Sequence, residues 1–169
     1  MDVLHRFARD LRPTLLDDLG LIPALQSHMK EFMENTGIRV TFSAFAGLEQ
    51  VDNAVRTALF RVAQEALRNI AKHAKASQTS VVIREDDEAL YMEIHDNGKG
   101  FDVKGVVLRK SKRLGLIGMR EHVEMIGGAV FIDSAPGKET TVQVKIPRRK
   151  IRPRKRSSKS PAQPPKKSP

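Results

Sequence analysis

Four polar side chains recur along one face of a predicted helix: Glu65, Asn69, Lys72 and His73. At about 100° per residue, the first three fall within a ~60° sector, with His73 on its edge. That sector borders an apolar stripe of Val55, Leu59, Val62, Ala66 and Ile70. A carboxylate, an amide, an ammonium and an imidazole are therefore expected at the rim of a core. Magnesium takes hard oxygen ligands, few from protein and more from phosphate and water. Asn69 can supply one oxygen, Lys72 and His73 can donate to phosphate oxygens, and Glu65 can orient or deprotonate a nucleophile. The plainer reading is a solvated face with an i,i+4 ion pair between Glu65 and Arg61.

Three glycine-containing segments follow. Ile94–Phe101, IHDNGKGF, comes directly after an alternating strand, which puts Asp96 at the strand end. Gly98 and Gly100 permit backbone shapes and close approaches that a side chain would forbid. A buried carboxylate there can accept from an amino group such as the exocyclic amine of adenine; the alternative is a plain Asn-Gly turn. Arg113–Glu121, RLGLIGMRE, places Gly115 and Gly118 at or just before a helix start, where free N–H groups attract phosphate. The stretch before it, Asp102–Lys112, is basic and non-periodic, as a mobile lid or a surface loop would be. In SAPGKETTVQV, Ser134–Gly137 turns the chain, and Thr140 and Thr141 begin a strand.

The elements that must position these groups are legible from periodicity. Val3–Leu11 reads as a short helix ended by Pro13. The chain turns at Gly20 and re-enters a helix with Pro23 in its first turn. Ile22, Leu25, Met29, Phe32 and Met33 give that helix an apolar face. Ile38–Ala44 alternates as a strand. Asp52 or Asn53 caps the long polar-rimmed helix, which runs to about Ala74. Ser80–Arg84 and Ala89–His95 read as strands joined by an acidic turn, Ile117–Ile126 as a helix, and Ala129–Asp133 and Thr140–Ile146 as closing strands. The expected fold class is α+β: a largely antiparallel sheet with helices packed on one face.

The net charge of +10 is unevenly placed. Arg148–Pro169 holds ten of the 30 Lys and Arg and no acid, leaving twenty basic against twenty acidic residues in the body. This proline-rich tail lacks the apolar surface to offset its ordering entropy and reads as a disordered extension, with weak polyanion contact as its alternative role. The absence of cysteine excludes disulfides, thiolate metal sites and cysteine nucleophiles. No apolar run approaches the roughly 18 residues that span a bilayer, and no signal-peptide core is present. A cytoplasmic protein is the expectation.

Taken together, the four segments resemble the ATP-binding domain of the GHKL superfamily of gyrase, heat-shock chaperone, histidine kinase and MutL proteins. EALRNIAKHA looks like its N box, and DNGKGFD and LGLIGMRE look like its glycine boxes in order. LRPTLLDDLGLIPAL, GLIGMREHVEMIGG and the closing SAPG segment are similar to sensor histidine kinases that work with LuxR-type response regulators. The resemblance covers about Leu11–Pro147. It implies an α/β sandwich of the Bergerat type, with ATP lying between the helix layer and a flexible lid. By residue, it implies Asn69 on Mg2+, Glu65 as the catalytic or water-positioning carboxylate, and Lys72 and His73 near the phosphates. It places Asp96 on the adenine amine, Gly98 and Gly100 along the adenine wall, Gly115, Leu116, Gly118 and Met119 in the lid region, and Thr140 near the base. The domain organisation it implies is a remnant of a dimerisation region over 1–21, a catalytic domain over 22–147 and the tail over 148–169.

Two departures from that pattern stand out. Glu139 occupies a glycine position of the family's last glycine box, and facing the pocket it would repel phosphates. His5 is followed by Arg6 rather than by an acid, so it reads as a surface histidine and not as a phosphoacceptor. The implied activity is transfer of the ATP γ-phosphoryl group to a histidine on another chain, with a LuxR-type response regulator as downstream partner and homodimerisation left open. The alternatives are an anti-sigma-like serine kinase of the same superfamily and a degenerate nucleotide-binding protein.

Overall fold

The structure, a computed structural model, describes residues 12–103, 105 and 114–148. Helix α1 spans Arg12–Leu19. Pro13 lies within this helix. The proposed Val3–Leu11 helix, His5, the greater part of the lid segment and the basic tail beyond Arg148 lie outside the described residues.

The chain reverses at Gly20, whose φ of 93° favours glycine, and continues as α2, Leu21–Thr36. Gly20 offers no capping side chain, so Glu49 does the work from a distance. Its carboxylate accepts from the N–H groups of Leu21 at 2.8 Å and Ile22 at 2.6 Å, satisfying two of the helix's orphan donors with the charge its N-terminus favours. The buried face of α2 is Leu21, Ala24, Leu25, Met29 and Phe32. Met33, expected on this face, is turned outward and exposed.

Helix α3, Asn53–Asn69, is capped by Asp52, whose side chain accepts from Ala54 N–H at 2.8 Å. Val55, Leu59, Val62, Ala66 and Ile70 are all buried, as their spacing predicts. The helix does not run unchanged to Ala74. Over Ile70–Ala74 it widens into a π turn and then stops at Lys75, which takes the left-handed conformation at φ 55°. Such turns are rare and tend to occur at functional sites. Helix α4 covers Leu114–Glu124; it takes in residues ahead of the expected Ile117 and ends two residues before the expected Ile126.

Five strands form one sheet: β1 Arg39–Ala44, β2 Gln78–Glu85, β3 Ala89–Asp96, β4 Ala129–Ser134 and β5 Thr140–Pro147. The order is β1-β2-β3-β5-β4. β1 and β2 are parallel and the other pairings antiparallel, so the mixed, largely antiparallel α+β class holds. The inner faces of β2, β3 and β5 carry Val81, Ile83, Leu90, Met92, Ile94, Val142, Val144 and Ile146, which join the helix stripes in one hydrophobic core. Alternation in β3 sends Ile94 and Asp96 inward and Glu93 and His95 outward. This places a carboxylate at the inner end of a central strand. No helix among the described residues is long and apolar enough to cross a membrane.

Candidate functional site

A cleft of about 660 Å3 lies between the end of α3 with its π turn, the start of α4 and the ends of β3 and β5. That volume falls within the range typical of small-molecule sites, roughly 300–1,000 Å3. Glu65, Asn69, Lys72 and His73 line it from the α3 side, Asp96 and Thr140 from the sheet, Gly100 from the turn after β3, and Gly115, Leu116 and Met119 from α4. The π turn alters the phase assumed for a continuous α-helix, yet all four helix groups open on the same space.

Asp96 is 4% exposed. Its Oδ1 accepts the Gly98 N–H at 2.8 Å. Burial raises its pKa above the usual carboxylate value, and it outweighs the opposing effects of the Gly98 hydrogen bond and of neighbouring His95. Asp96 and Thr140 are register partners across β3 and β5. Thr140, 8% exposed, shares a 2.9 Å hydroxyl contact with Ser134, and Ser134 Oγ accepts from Phe101 N–H at 3.0 Å.

The glycine turn is built into its neighbours. Lys99 N–H donates to the Ala74 carbonyl at 2.8 Å, and Gly137 N–H donates to the Lys99 carbonyl at 2.7 Å. The turn is thereby tied to the helix end on one side and to the Ser134–Gly137 turn on the other. Gly100 has φ 57°, and a Cβ there would collide with the Lys138 and Ala135 carbonyls. Gly98 does not line the cleft. It shapes it from behind: a Cβ there would come within 2.6 Å of the Ala74 carbonyl. Gly118 also stays out of this cleft and faces a second one between the helices.

Glu65 pairs with Arg68, one turn along the same helix, and not with Arg61, which donates to Gln64 at 3.2 Å. Glu139 does not line the cleft. It reaches the outward-facing His95, Oε2 to Nε2 at 3.3 Å, while His95 Nδ1 lies 3.1 Å from Thr141 Oγ1. The Glu139 carboxylate is thereby held on the outer face of the sheet, although its charge still adds to the raising of the Asp96 pKa.

Motif reading does not single out several of the lining groups. Ile94, Phe101, Ile132 and Val142 form apolar walls beside the expected Met119, and Lys99 and Arg68 add two cations. Strand periodicity carried part of the signal, because Ile94 and Val142 lie two residues from Asp96 and Thr140 and share their face.

A family model described as histidine kinase-, DNA gyrase B- and HSP90-like ATPase matches residues 54–150. The chain belongs to this family. Among its relatives, the signal transduction histidine-protein kinase/phosphatase DegS of Brevibacillus brevis is 44% identical over 144 residues, covering 85% of this chain and 36% of that protein. DegS of Bacillus subtilis (strain 168) is 38% identical over 139 residues, 80% of this chain and 36% of its own length. The oxygen sensor histidine kinase NreB of Staphylococcus carnosus (strain TM300) is 36% identical over 151 residues, 87% and 42% respectively. The chain thus spans less than half the length of these relatives. The histidine kinase domain of the blue-light activated kinase from Erythrobacter litoralis EL346 superposes with a TM-score of 0.61 at 21% identity, covering 75% of this chain and 60% of that one, which establishes the shared fold. The domain is the ATP-binding catalytic type found in sensor histidine kinases.

Proposed function

We propose that this chain binds magnesium–ATP in the cleft and transfers the γ-phosphoryl group to a histidine on another chain, for onward passage to a LuxR-type response regulator. The observation that carries this is the meeting of Asn69, Lys72 and His73 with buried Asp96 and Thr140 around one cavity. Asp96 accepts from the adenine amine with the carboxylate oxygen that Gly98 leaves available. Ile94, Met119 and Val142 flank the base and exclude water. Lys72, His73 and Lys99 donate to the phosphates. Glu65 takes the proton that the acceptor imidazole releases.

The donor set fits magnesium. Asn69 offers one amide oxygen one turn from the Glu65 carboxylate, a small set of hard oxygen donors on the cleft wall. Such a sparse set suits an ion that keeps its waters and takes phosphate oxygens. Bound there, the ion would neutralise charge on the transferring phosphoryl group.

The degenerate-binder alternative drew on Glu139 and on the basic tail; the pairing of Glu139 with His95 outside the cleft speaks against the first of these. The test uses labelled ATP and magnesium with full-length Brevibacillus brevis DegS as acceptor, its own nucleotide site disabled. Acid-labile label on the acceptor and little on this chain is expected. Acid-stable label on a serine would support the anti-sigma-like alternative instead, and no transfer despite bound ATP would refute the transferase reading.

A further inference from the structure

A second cleft, also about 660 Å3, opens on the other side of Glu65, between α2, α3 and α4. Phe32, Arg61, Gln64 and His122 line it, and Glu65, Arg68, Gly115 and Met119 line both clefts. Glu65 therefore stands on the partition between them. Its side chain is 16% exposed and bonded to the guanidinium of Arg68, which is 53% exposed. From α4, the Gly115 backbone closes on the same carboxylate, so nearly that a Cβ there would overlap Glu65 Oε1. The carboxylate is clasped between a cation of its own helix and the glycine backbone of another. Left unclasped, a glutamate with three rotatable bonds would divide its time between the two clefts.

We propose that Arg68 is a positioning residue for phosphoryl transfer, holding the Glu65 carboxylate on the partition where the nucleotide and the incoming acceptor meet. This rests on the reading of Glu65 as proton acceptor. In that step the unprotonated ring nitrogen of the acceptor imidazole forms a bond to the γ-phosphorus. The bond from the γ-phosphorus to the bridging oxygen breaks, and ADP leaves with the electron pair. The proton on the other ring nitrogen passes to Glu65. Arg68 touches none of the reacting atoms; it fixes the group that does. Small misplacements of such groups cost rate far more than affinity.

An ordinary i,i+3 helix pair would have no kinetic consequence, which makes the two accounts separable. Arg68→Gln, Arg68→Lys, Glu65→Gln and the Arg68→Gln/Glu65→Gln double variant are made in the full chain. Transfer from ATP to the site-disabled Brevibacillus brevis DegS is followed as kcat and as KM for ATP, with thermal unfolding as control. Arg68→Gln should lower kcat about tenfold or more, with KM and unfolding midpoint nearly unmoved, and Arg68→Lys should restore most of the rate. In the Glu65→Gln background, Arg68→Gln should add little, because it acts through the missing carboxylate. Wild-type kcat in Arg68→Gln, a loss carried in KM, or a full multiplicative loss in the double variant would each overturn the proposal, the last by showing direct contact with phosphate. Wild-type kcat in Glu65→Gln would instead remove the underlying reading of Glu65.

Discussion

Replacing Asp96 by Asn should separate binding from stability. In the native turn Asp96 Oδ1 accepts the Gly98 N–H at 2.8 Å. An asparagine oxygen can keep that bond, which puts the amide NH2 where the second carboxylate oxygen stood. Adenine's amine then meets a donor in place of a charged acceptor. Losing a hydrogen bond to a charged group costs about 1.5–3 kcal/mol, so magnesium–ATP affinity should fall roughly ten- to a hundredfold. Stability should move the other way. The folded pKa of Asp96 is raised, chiefly by burial, so as pH rises the unfolded chain releases this proton before the folded one does. Stability from this group is therefore full at pH values below its unfolded pKa and is lost as pH climbs through the folded value. Asparagine carries no such penalty. Asp96→Asn should thus gain in unfolding midpoint relative to the parent between acid and neutral pH, while binding ATP worse. Calorimetric titration and pH-dependent thermal unfolding read the two effects. Unchanged ATP affinity would refute the adenine contact, and a stability difference that is flat across pH would refute the burial argument.

Asn69→Asp should weaken magnesium–ATP binding at least about tenfold, near 1.4 kcal/mol, by calorimetry; full affinity would take Asn69 out of the site. Gly100→Ala forces a side chain onto φ 57° and into the Lys138 and Ala135 carbonyls, and should cost about 1–3 kcal/mol in urea unfolding; a loss within about 0.5 kcal/mol, the range of neutral surface changes, would contradict the close packing. Glu139→Gly removes an acid that pairs with His95 on the outer face, so ATP affinity should stay within about twofold of the parent, less than 0.5 kcal/mol; a marked tightening would show that Glu139 does reach the phosphates.

What the sequence disclosed is what local periodicity encodes. The α3 stripe from Val55 to Ile70 and the inward side of β3 follow from spacings of 3.6 and 2, while the expectation that Asn69 and Asp96 share one cleft came from the family resemblance. The motif glycines that line the cleft, Gly100 and Gly115, were visible for another reason: glycine marks turns and close backbone approaches. The rest depends on contacts between distant segments. Gly98 supports the turn from behind because Ala74, far back in the chain, supplies the surface it packs on. Glu139 turns outward because His95 on the neighbouring strand gives it a partner. The π turn at Ile70–Ala74 is a departure that helical periodicity does not encode, and Met33 faces outward because α2 buries Leu21 and Ala24 along its core side. Arg68 was passed over in favour of Arg61, since i,i+3 and i,i+4 partners are equally available on paper and packing chooses between them.

The central claim is that one nucleotide bridges the Asn69 helix and the Asp96 corner. A crystal structure of the chain with a non-hydrolysable ATP analogue and Mn2+, read by the ion's anomalous signal, tests it in a single measurement. The account predicts the ion beside the Asn69 oxygen and the adenine amine within hydrogen-bond distance of the Asp96 carboxylate. A nucleotide found elsewhere on the molecule, or a base turned away from Asp96, would contradict it.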